Sequence, residues 1–180
     1  MNRLMLGSVA VGVALAAAPA AVTKPTADAA FGSGVRSPLG TFGPPANFSF
    51  NATSAPNGEN STGTFVIDFP GLGSFTADVT CLNVSGKTAT LLGLIRSGTG
   101  AGDPGNFGGD PVYFVAAVSD TGKPRNKQPS PDQMSGIVWD TEAILTGGGL
   151  TLAEICADPG ALLGPTMVGL VSGDLTVVDK

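Results

Sequence analysis

Short runs in which apolar and polar residues alternate predict β-strands along much of the chain. The first run places Phe48 and Phe50 on one face, and the second spans residues 64–69. The clearest signal lies at residues 74–97, where two alternating runs flank the turn at residues 84–87 and predict a β-hairpin. The apolar face of this hairpin contains Phe75, Ala77, Val79 and Cys81, then Ala89, Leu91, Gly93 and Ile95.

Later runs predict strands at residues 112–119 and 134–139, and two short closing strands at residues 166–171 and 175–178 around a Ser-Gly-Asp turn. Segments rich in Gly and Pro separate the strands, as is typical of sandwiches and barrels. We therefore predict one all-β domain over residues 46–180. The expected fold is an antiparallel β-sandwich, with a closed β-barrel as the alternative.

A short helical segment is predicted near the C-terminal end. Thr151 is followed three residues later by Glu154, which is the spacing of a capping box. Pro159 and Gly160 are expected to end this helix. The segment would carry Cys156 back toward the sheet.

Residues 1–30 have the order of a secretory signal peptide: a positive start at Arg3, an uncharged apolar run, then small residues. The candidate cleavage sites follow Ala20, Ala29 and Ala30. A leader retained as a membrane anchor is the alternative, because the apolar run is nearly long enough to span a bilayer. Residues 31–45, where Gly and Pro recur, are predicted to form an irregular arm. We expect a secreted or cell-wall-associated protein.

The two cysteines, Cys81 and Cys156, both follow this leader. In an exported chain an even cysteine count predicts a disulfide. A bridge between them closes a loop for which chain entropy predicts a stabilisation of about 4 to 5 kcal/mol. We expect the bridge to be structural.

The absence of histidine narrows the possible chemistry. Ser–His–Asp and Cys–His catalysis and histidine-ligated metal sites are excluded within this chain. The net charge of −5 argues against a general nucleic-acid binder. No cofactor is expected, and carboxylates, lysines, hydroxyls and Tyr113 are the groups left for any reaction.

The hairpin sequence F-T-A-D-V-T-C-L-N-V-S-G-K-T-A-T-L-L-G-L-I is followed later by Y-F-V-A-A-V-S-D-T-G-K-P. Over residues 62–140 this pattern resembles small secreted actinobacterial domains. The resemblance implies an all-β fold and an extracellular location. It implies no catalytic residues.

A glycine-rich segment at residues 97–111 contains Asp103, Asn106 and Asp110 between its glycines. Oxygen ligands on a flexible loop are what calcium prefers. These three residues are therefore candidate calcium ligands. A mobile loop with solvated carboxylates is the alternative.

Three basic residues, Lys123, Arg125 and Lys127, recur at every second position. In an extended segment they would point the same way and could meet a phosphate or sulfate polymer of the cell wall. A solvated charged turn is the alternative.

The single tryptophan, Trp139, has Asp140 and Glu142 close by in the sequence. An aromatic platform beside carboxylates is a candidate sugar-binding site. Partly buried packing is the alternative role for this tryptophan.

The function expected from these features is a secreted non-catalytic module that binds a cell-wall polymer, another carbohydrate or a protein. One alternative is a small-ligand carrier or barrel enzyme, which requires a deep cavity lined by Tyr113 or Asp78. Another alternative is an extracellular structural or assembly component, which predicts a large uncovered edge strand or interface.

Overall fold

The computed structural model describes residues 27–38, 45–55, 58–122, 132–164 and 166–179. Its strands are β1 (Asp28–Arg36), β2 (Ala46–Ser54), β3 (Thr62–Phe69), β4 (Gly73–Ser85), β5 (Thr88–Gly100), β6 (Val112–Ser119), β7 (Gln133–Ser135), β8 (Val138–Thr141) and β9 (Met167–Val178). Its helices are α1 (Glu142–Leu145), α2 (Leu152–Ala157) and α3 (Gly160–Leu163), with a 3₁₀ turn at Pro104–Phe107.

The strands form one antiparallel sheet that closes on itself. Strands β1 to β6 follow one another as a meander, and β7 and β8 are two successive pieces that both pair with β6. Strand β9 then pairs with β7 on one side and with β1 on the other. The result is an eight-stranded up-and-down barrel. The predicted all-β class is confirmed, and the closed barrel describes it rather than the sandwich.

Aromatic side chains fill the interior of the barrel. The ring of Phe65 lies at the centre, with its centroid 4.4 Å from that of Phe114 and about 6 Å from those of Phe50 and Phe75. The alternation in β2 to β4 predicts this inner face correctly. Burying one such ring contributes about 1.5 to 3 kcal/mol, so this stack is a main source of stability.

Strand β1 closes the barrel, although residues 31–45 were expected to be an irregular arm. That prediction is wrong for residues 31–36. Its inward positions include Gly32 and Gly34. A Cβ added at either glycine would collide with the backbone of β9, and the one at Gly34 would meet Ser172. Because rings from the other strands occupy the interior, β1 contributes small residues there, and glycine in this strand reflects close packing.

The first residues of β1 also overlap the predicted leader. Asp28 and Ala30 are buried, and the strand from Asp28 onward pairs with both β2 and β9. Cleavage after Ala29 or Ala30 would remove these residues from the barrel, whereas cleavage after Ala20 would leave β1 whole.

A β-bulge in the β4–β5 hairpin changes the position of one cysteine. The register shifts between Val79 and Cys81, so that Cys81 lies opposite Leu92, on the outer side of the barrel. The prediction that Cys81 shares the inner face of Phe75 is wrong, because one extra residue exchanges inside and outside.

The helical segment forms a layer on the outer side of β4, β5 and β6. The buried residues of this second cluster are Leu92, Val115, Leu145, Ile155 and Cys156. The predicted disulfide is confirmed: the Cα atoms of Cys81 and Cys156 are 6.4 Å apart. Beside it, the Asn83 amide donates to the carbonyl oxygen of Ala157 at 3.0 Å. The layer is thus attached to the barrel covalently and by side-chain contacts.

Helix α2 begins as its sequence predicts. The Thr151 hydroxyl accepts from the Glu154 N–H at 3.2 Å, and the Glu154 carboxylate accepts from the Thr151 N–H at 2.7 Å. The hydrogen bonds from the Thr151 backbone and side chain lower the pKa of Glu154, which is exposed. This is a complete capping box.

Strand β9 runs through the segment expected to be a turn. Ser172, Gly173 and Asp174 lie inside the strand, opposite the register shift at Val35 and Arg36, so the prediction of two short strands is wrong. Gly173 has φ 120°, a conformation that favours glycine. The Ser-Gly-Asp sequence marks an irregular point in one strand.

Beyond the end of β7, two carboxylates take the place of a neighbouring strand for β9. Asp132 accepts from the Leu175 N–H at 2.9 Å, and Asp120 accepts from the Val177 N–H at 3.3 Å. Burial alone would raise the pKa of Asp120, but hydrogen bonds from Val177, Lys87 and the Gly122 N–H outweigh it and lower that pKa. Both buried acids therefore have a structural role.

Candidate functional site

The predicted calcium ligands lie in and just after the loop that follows β5, and that loop uses two of them. Asp103 accepts from the Gly105 N–H at 2.9 Å, and the Asn106 amide donates to the carbonyl oxygen of Gly100 at 2.8 Å. Asp110 lies beyond the 3₁₀ turn and is exposed. Within the described residues, no three Asp, Glu or Cys side chains are grouped to hold a metal ion. Calcium binding stays a prediction.

The basic residues Lys123, Arg125 and Lys127 lie outside the described residues. They belong to the connection between β6 and β7. The described residues on either side of them are Gly122 and Asp132. A polyanion-binding role for them stays a prediction.

Trp139 packs into one end of the barrel. Its ring centroid lies 5.4 Å from that of Phe69 and 5.8 Å from that of Phe75. Its indole N–H donates to the carbonyl oxygen of Ala101 at 3.1 Å. Because β8 alternates, Asp140 points to the opposite face of the strand. Trp139 and Asp140 therefore do not form one platform, and the geometry matches the packing role.

A pocket of about 460 Å³ brings together residues from two predicted sites. Asp110 and Glu142 both line it, with Thr141 and Thr146. The Thr146 hydroxyl is already bonded to the Glu142 carbonyl oxygen at 2.7 Å. Two exposed carboxylates without further ligands specify no particular chemistry.

The carrier or enzyme hypothesis required Tyr113 or Asp78 to line a cavity. Tyr113 instead packs in the outer cluster beneath the helices. Asp78 lies on the outer surface, where its carboxylate is 2.7 Å from Nε of Arg96. The aromatic stack, with Phe65 at its centre, occupies the space between the strands. In the described part of the chain neither residue faces a lumen.

The side of the barrel opposite the helical layer carries many polar side chains. We call the outward side chains of β1, β2 and β3, together with those of residues 74–78 and 96–99, the bare face. Hydrogen bonds between strands order them: Asn47 donates to Asp68 at 3.2 Å, and the hydroxyls of Ser74 and Thr99 are 3.0 Å apart. The bare face is therefore rich in donors and acceptors held on a rigid sheet.

A groove of about 430 Å³ crosses the bare face from β3 to β5. Its polar lining comes from Asp68, Ser74, Thr76, Ser97 and Thr99, and Val66 adds an apolar surface. The hydroxyl groups can both donate and accept, while the single carboxylate only accepts. Such a lining suits a ligand that carries many hydroxyl groups.

A second, smaller pocket of about 220 Å³ lies toward the other end of β3. Phe31 borders it and is 47% exposed. Asn51, Thr53 and Thr62 surround the ring, and Gly63 leaves the floor without a side chain. An exposed ring amid amide and hydroxyl groups is a surface on which an apolar face can stack.

Sequence reasoning named neither pocket as a site. The polar positions of β3 were visible as the face opposite Phe65 and Ile67, but a polar strand face is most simply interpreted as solvated. Phe31 was missed because its segment was expected to be irregular. The sequence does contain a signal for a strand in this segment: Phe31 lies on one face of an alternating pattern, and Gly32 and Gly34 lie on the other.

No described helix is long and apolar enough to cross a membrane. The chain matches no protein-family model, no curated protein and no solved structure. The resemblance to actinobacterial domains stays a prediction.

Proposed function

We propose that this protein is an exported, non-catalytic module that binds a neutral polysaccharide through its bare face. The observation that carries the proposal is the combination of ordered hydroxyl and amide side chains with two clefts on one rigid surface. The exposed ring of Phe31 borders the smaller cleft. Binding sites commonly combine apolar contact with a few placed polar groups.

The shape of the bare face suits an extended polymer. Both clefts include β3: Thr62 and Gly63 border one, and Val66 and Asp68 border the other. Adjacent strands are about 4.8 Å apart, so β1 to β5 extend over roughly 19 Å of curved surface. Several sugar units of one chain would contact that length.

Charge argues for a neutral polymer. The only charged groups in the β3–β5 groove and at its edge are Asp68 and the ion pair of Asp78 with Arg96. The whole chain carries a net charge of −5, so a polyanion would be repelled at long range.

The competing functions have less support. A carrier or enzyme needs a cavity, and aromatic side chains occupy the barrel interior. An assembly component needs a long free edge. Of the described strands, β8 pairs on one side alone, and it has four residues. Strand β9 also extends beyond its pairing with β7, but there Asp132 and Asp120 accept hydrogen bonds from its backbone N–H groups.

Retention on insoluble cellulose, chitin and xylan tests this proposal. We expect the protein to be retained by at least one, and Phe31→Ala to weaken retention about tenfold, since losing one aromatic contact costs about 1 to 2 kcal/mol. Ile144→Ala is the matched control, because Ile144 is 66% exposed outside the bare face. Failure of all three polymers to retain the protein, or equal retention of both variants, would contradict the proposal.

We propose further that the protein is exported and processed before Asp28. The leader pattern of residues 1–30 and the disulfide between Cys81 and Cys156 support export. The burial of Asp28 and Ala30 supports the processing site. Mass spectrometry of secreted protein tests this: a mature chain that begins at Ala30 or Phe31 would contradict it.

A further inference from the structure

The last residue of β1 is a buried arginine, and two of its guanidinium nitrogens have no hydrogen-bond partner among the described residues. Arg36 is 3% exposed, and it pairs in register with Ala46 and Leu170, both of which belong to the barrel core. Cross-strand partners share a face, so the Arg36 side chain points inward at the end of the barrel where β1 finishes. Nε and Nη1 of Arg36 are buried and donate no hydrogen bond to any described residue.

Among the described residues, no side-chain carboxylate forms an ion pair with Arg36. The sequence has 14 acidic residues, and all of them lie in the described segments. The ion pairs among those segments are Lys87 with Asp120 and Arg96 with Asp78. The segments outside the description contain no Asp or Glu, so they cannot supply a carboxylate side chain either.

The nearest candidates by topology have other roles. Asp28 lies on the same strand but eight residues away, which is roughly 26 Å along the strand. Asp132 and Asp120 accept hydrogen bonds from backbone N–H groups of β9. None of these acids forms an ion pair with the guanidinium within the described residues.

A buried guanidinium stays charged at any accessible pH and keeps its donors. Burial lowers the pKa of Arg36 by removing the guanidinium from water. An unpaired charge in an apolar surrounding is strongly unfavourable. An exogenous anion would remove this penalty.

We propose that the end of the barrel at Arg36 binds a small oxyanion, of the phosphate, sulfate or carboxylate class, through the guanidinium. This site is distinct from the bare face and does not depend on polysaccharide binding. Arginine is well suited to it, because its planar donors match the oxygens of these anions. The free guanidinium donors and the missing carboxylate are independent observations that favour such a ligand.

The test uses thermal unfolding of the protein in chloride at constant ionic strength, with phosphate, sulfate or acetate added at millimolar concentration. We expect a saturable rise in Tm with at least one oxyanion, about 5 to 10 °C when it reaches 100 times its Kd. A gradual rise without saturation, equal for all salts, is a general salt effect and would contradict the proposal.

Variants then locate the site. Arg36→Met should abolish the saturable rise while Arg96→Met, which removes an exposed guanidinium, should preserve it. If Arg36→Met does not fold, Arg36→Lys provides the second arm and should bind the same anion with at least tenfold weaker affinity. An unchanged response in Arg36→Met, or in Arg36→Lys where that arm is needed, would overturn the proposal.

Discussion

The outer surface of the barrel has two sides that resemble each other in backbone and differ in chemistry. On β5 and β6, Leu92 and Val115 point outward and are covered by the helical layer. On β2 and β3, the outward residues include Asn51 and Thr64, which remain exposed. A strand that is apolar on both faces requires a cover, whereas a strand that is polar on one face does not. The covered side stabilises the fold, and the bare side leaves its polar side chains exposed.

The largest expected effect comes from removing the link between barrel and layer. Replacing both cysteines, Cys81→Ser with Cys156→Ser, should lower the free energy of unfolding by about 4 kcal/mol, because the bridge closes a long loop. Urea unfolding of the disulfide-bonded protein and of the double variant measures this. A loss below about 1 kcal/mol would mean that the layer does not depend on the disulfide.

The second prediction compares matched outward positions. Leu92→Ala on the covered side should cost about 2 to 5 kcal/mol, since Leu92 is buried beneath the layer. Val66→Ala on the bare face should cost less than about 0.5 kcal/mol, because Val66 is exposed. Equal losses in urea unfolding would remove the distinction between the two sides.

The third prediction concerns Asp120, where β9 has no strand beside it. Its folded-state pKa is lowered, so its stabilisation is complete above the unfolded pKa of about 3.9 and is lost as pH falls through the folded value. Asp120→Asn should therefore destabilise the protein at pH 7 by about 1 to 2 kcal/mol and progressively less as the pH falls below about 3.9.

The control for this prediction is Asp174→Asn, which neutralises an exposed carboxylate on β9, the strand that Asp120 contacts. It should leave the pH dependence of unfolding nearly unchanged. If Asp120→Asn remained as destabilising in acid as it is at pH 7, down to the lowest pH at which the protein folds, the carboxylate charge would not be the source of the stabilisation.

The smallest effect concerns the helical layer itself. Thr151→Ala removes the cap of α2 and should cost about 1 kcal/mol. Ser33→Ala, an exposed change on the bare face, should cost almost nothing. Hydrogen exchange should show faster exchange in α2 for the first variant only. Unchanged protection of α2 would show that the cap contributes little.

Much of this fold follows from the sequence because alternation reports burial directly. Phe65, Ile67 and Phe75 were assigned to the inner face from spacing alone, and Cys81 was correctly paired with Cys156 from cysteine count and leader. The sequence also indicated that β5 and β6 are buried on both faces, because Leu92 lies on the second face of β5 and β6 is rich in apolar residues. This signal was not used to predict an outer layer.

Other features were not predictable because they depend on strands far apart in sequence. Gly32 is needed only because β9 approaches it closely, and the bulge that turns Cys81 outward depends on pairing with β5. Closure of the barrel by β1 and β9 joins the two ends of the domain, which no local pattern reports. The bare face was not predicted as a site, because the sequence of a polar strand face is the same kind of pattern whether that face contacts a ligand or only water.

The difference between the covered side and the bare face is tested most directly by hydroxyl-radical footprinting. The protein is labelled with and without the polysaccharide that retains it. Phe31 on the bare face and Ile144 on α1 are both exposed apolar residues, so each reports contact on its own side. Bound polysaccharide should protect Phe31 from labelling and leave the labelling of Ile144 unchanged. Protection of Ile144 with Phe31 still fully labelled would contradict it.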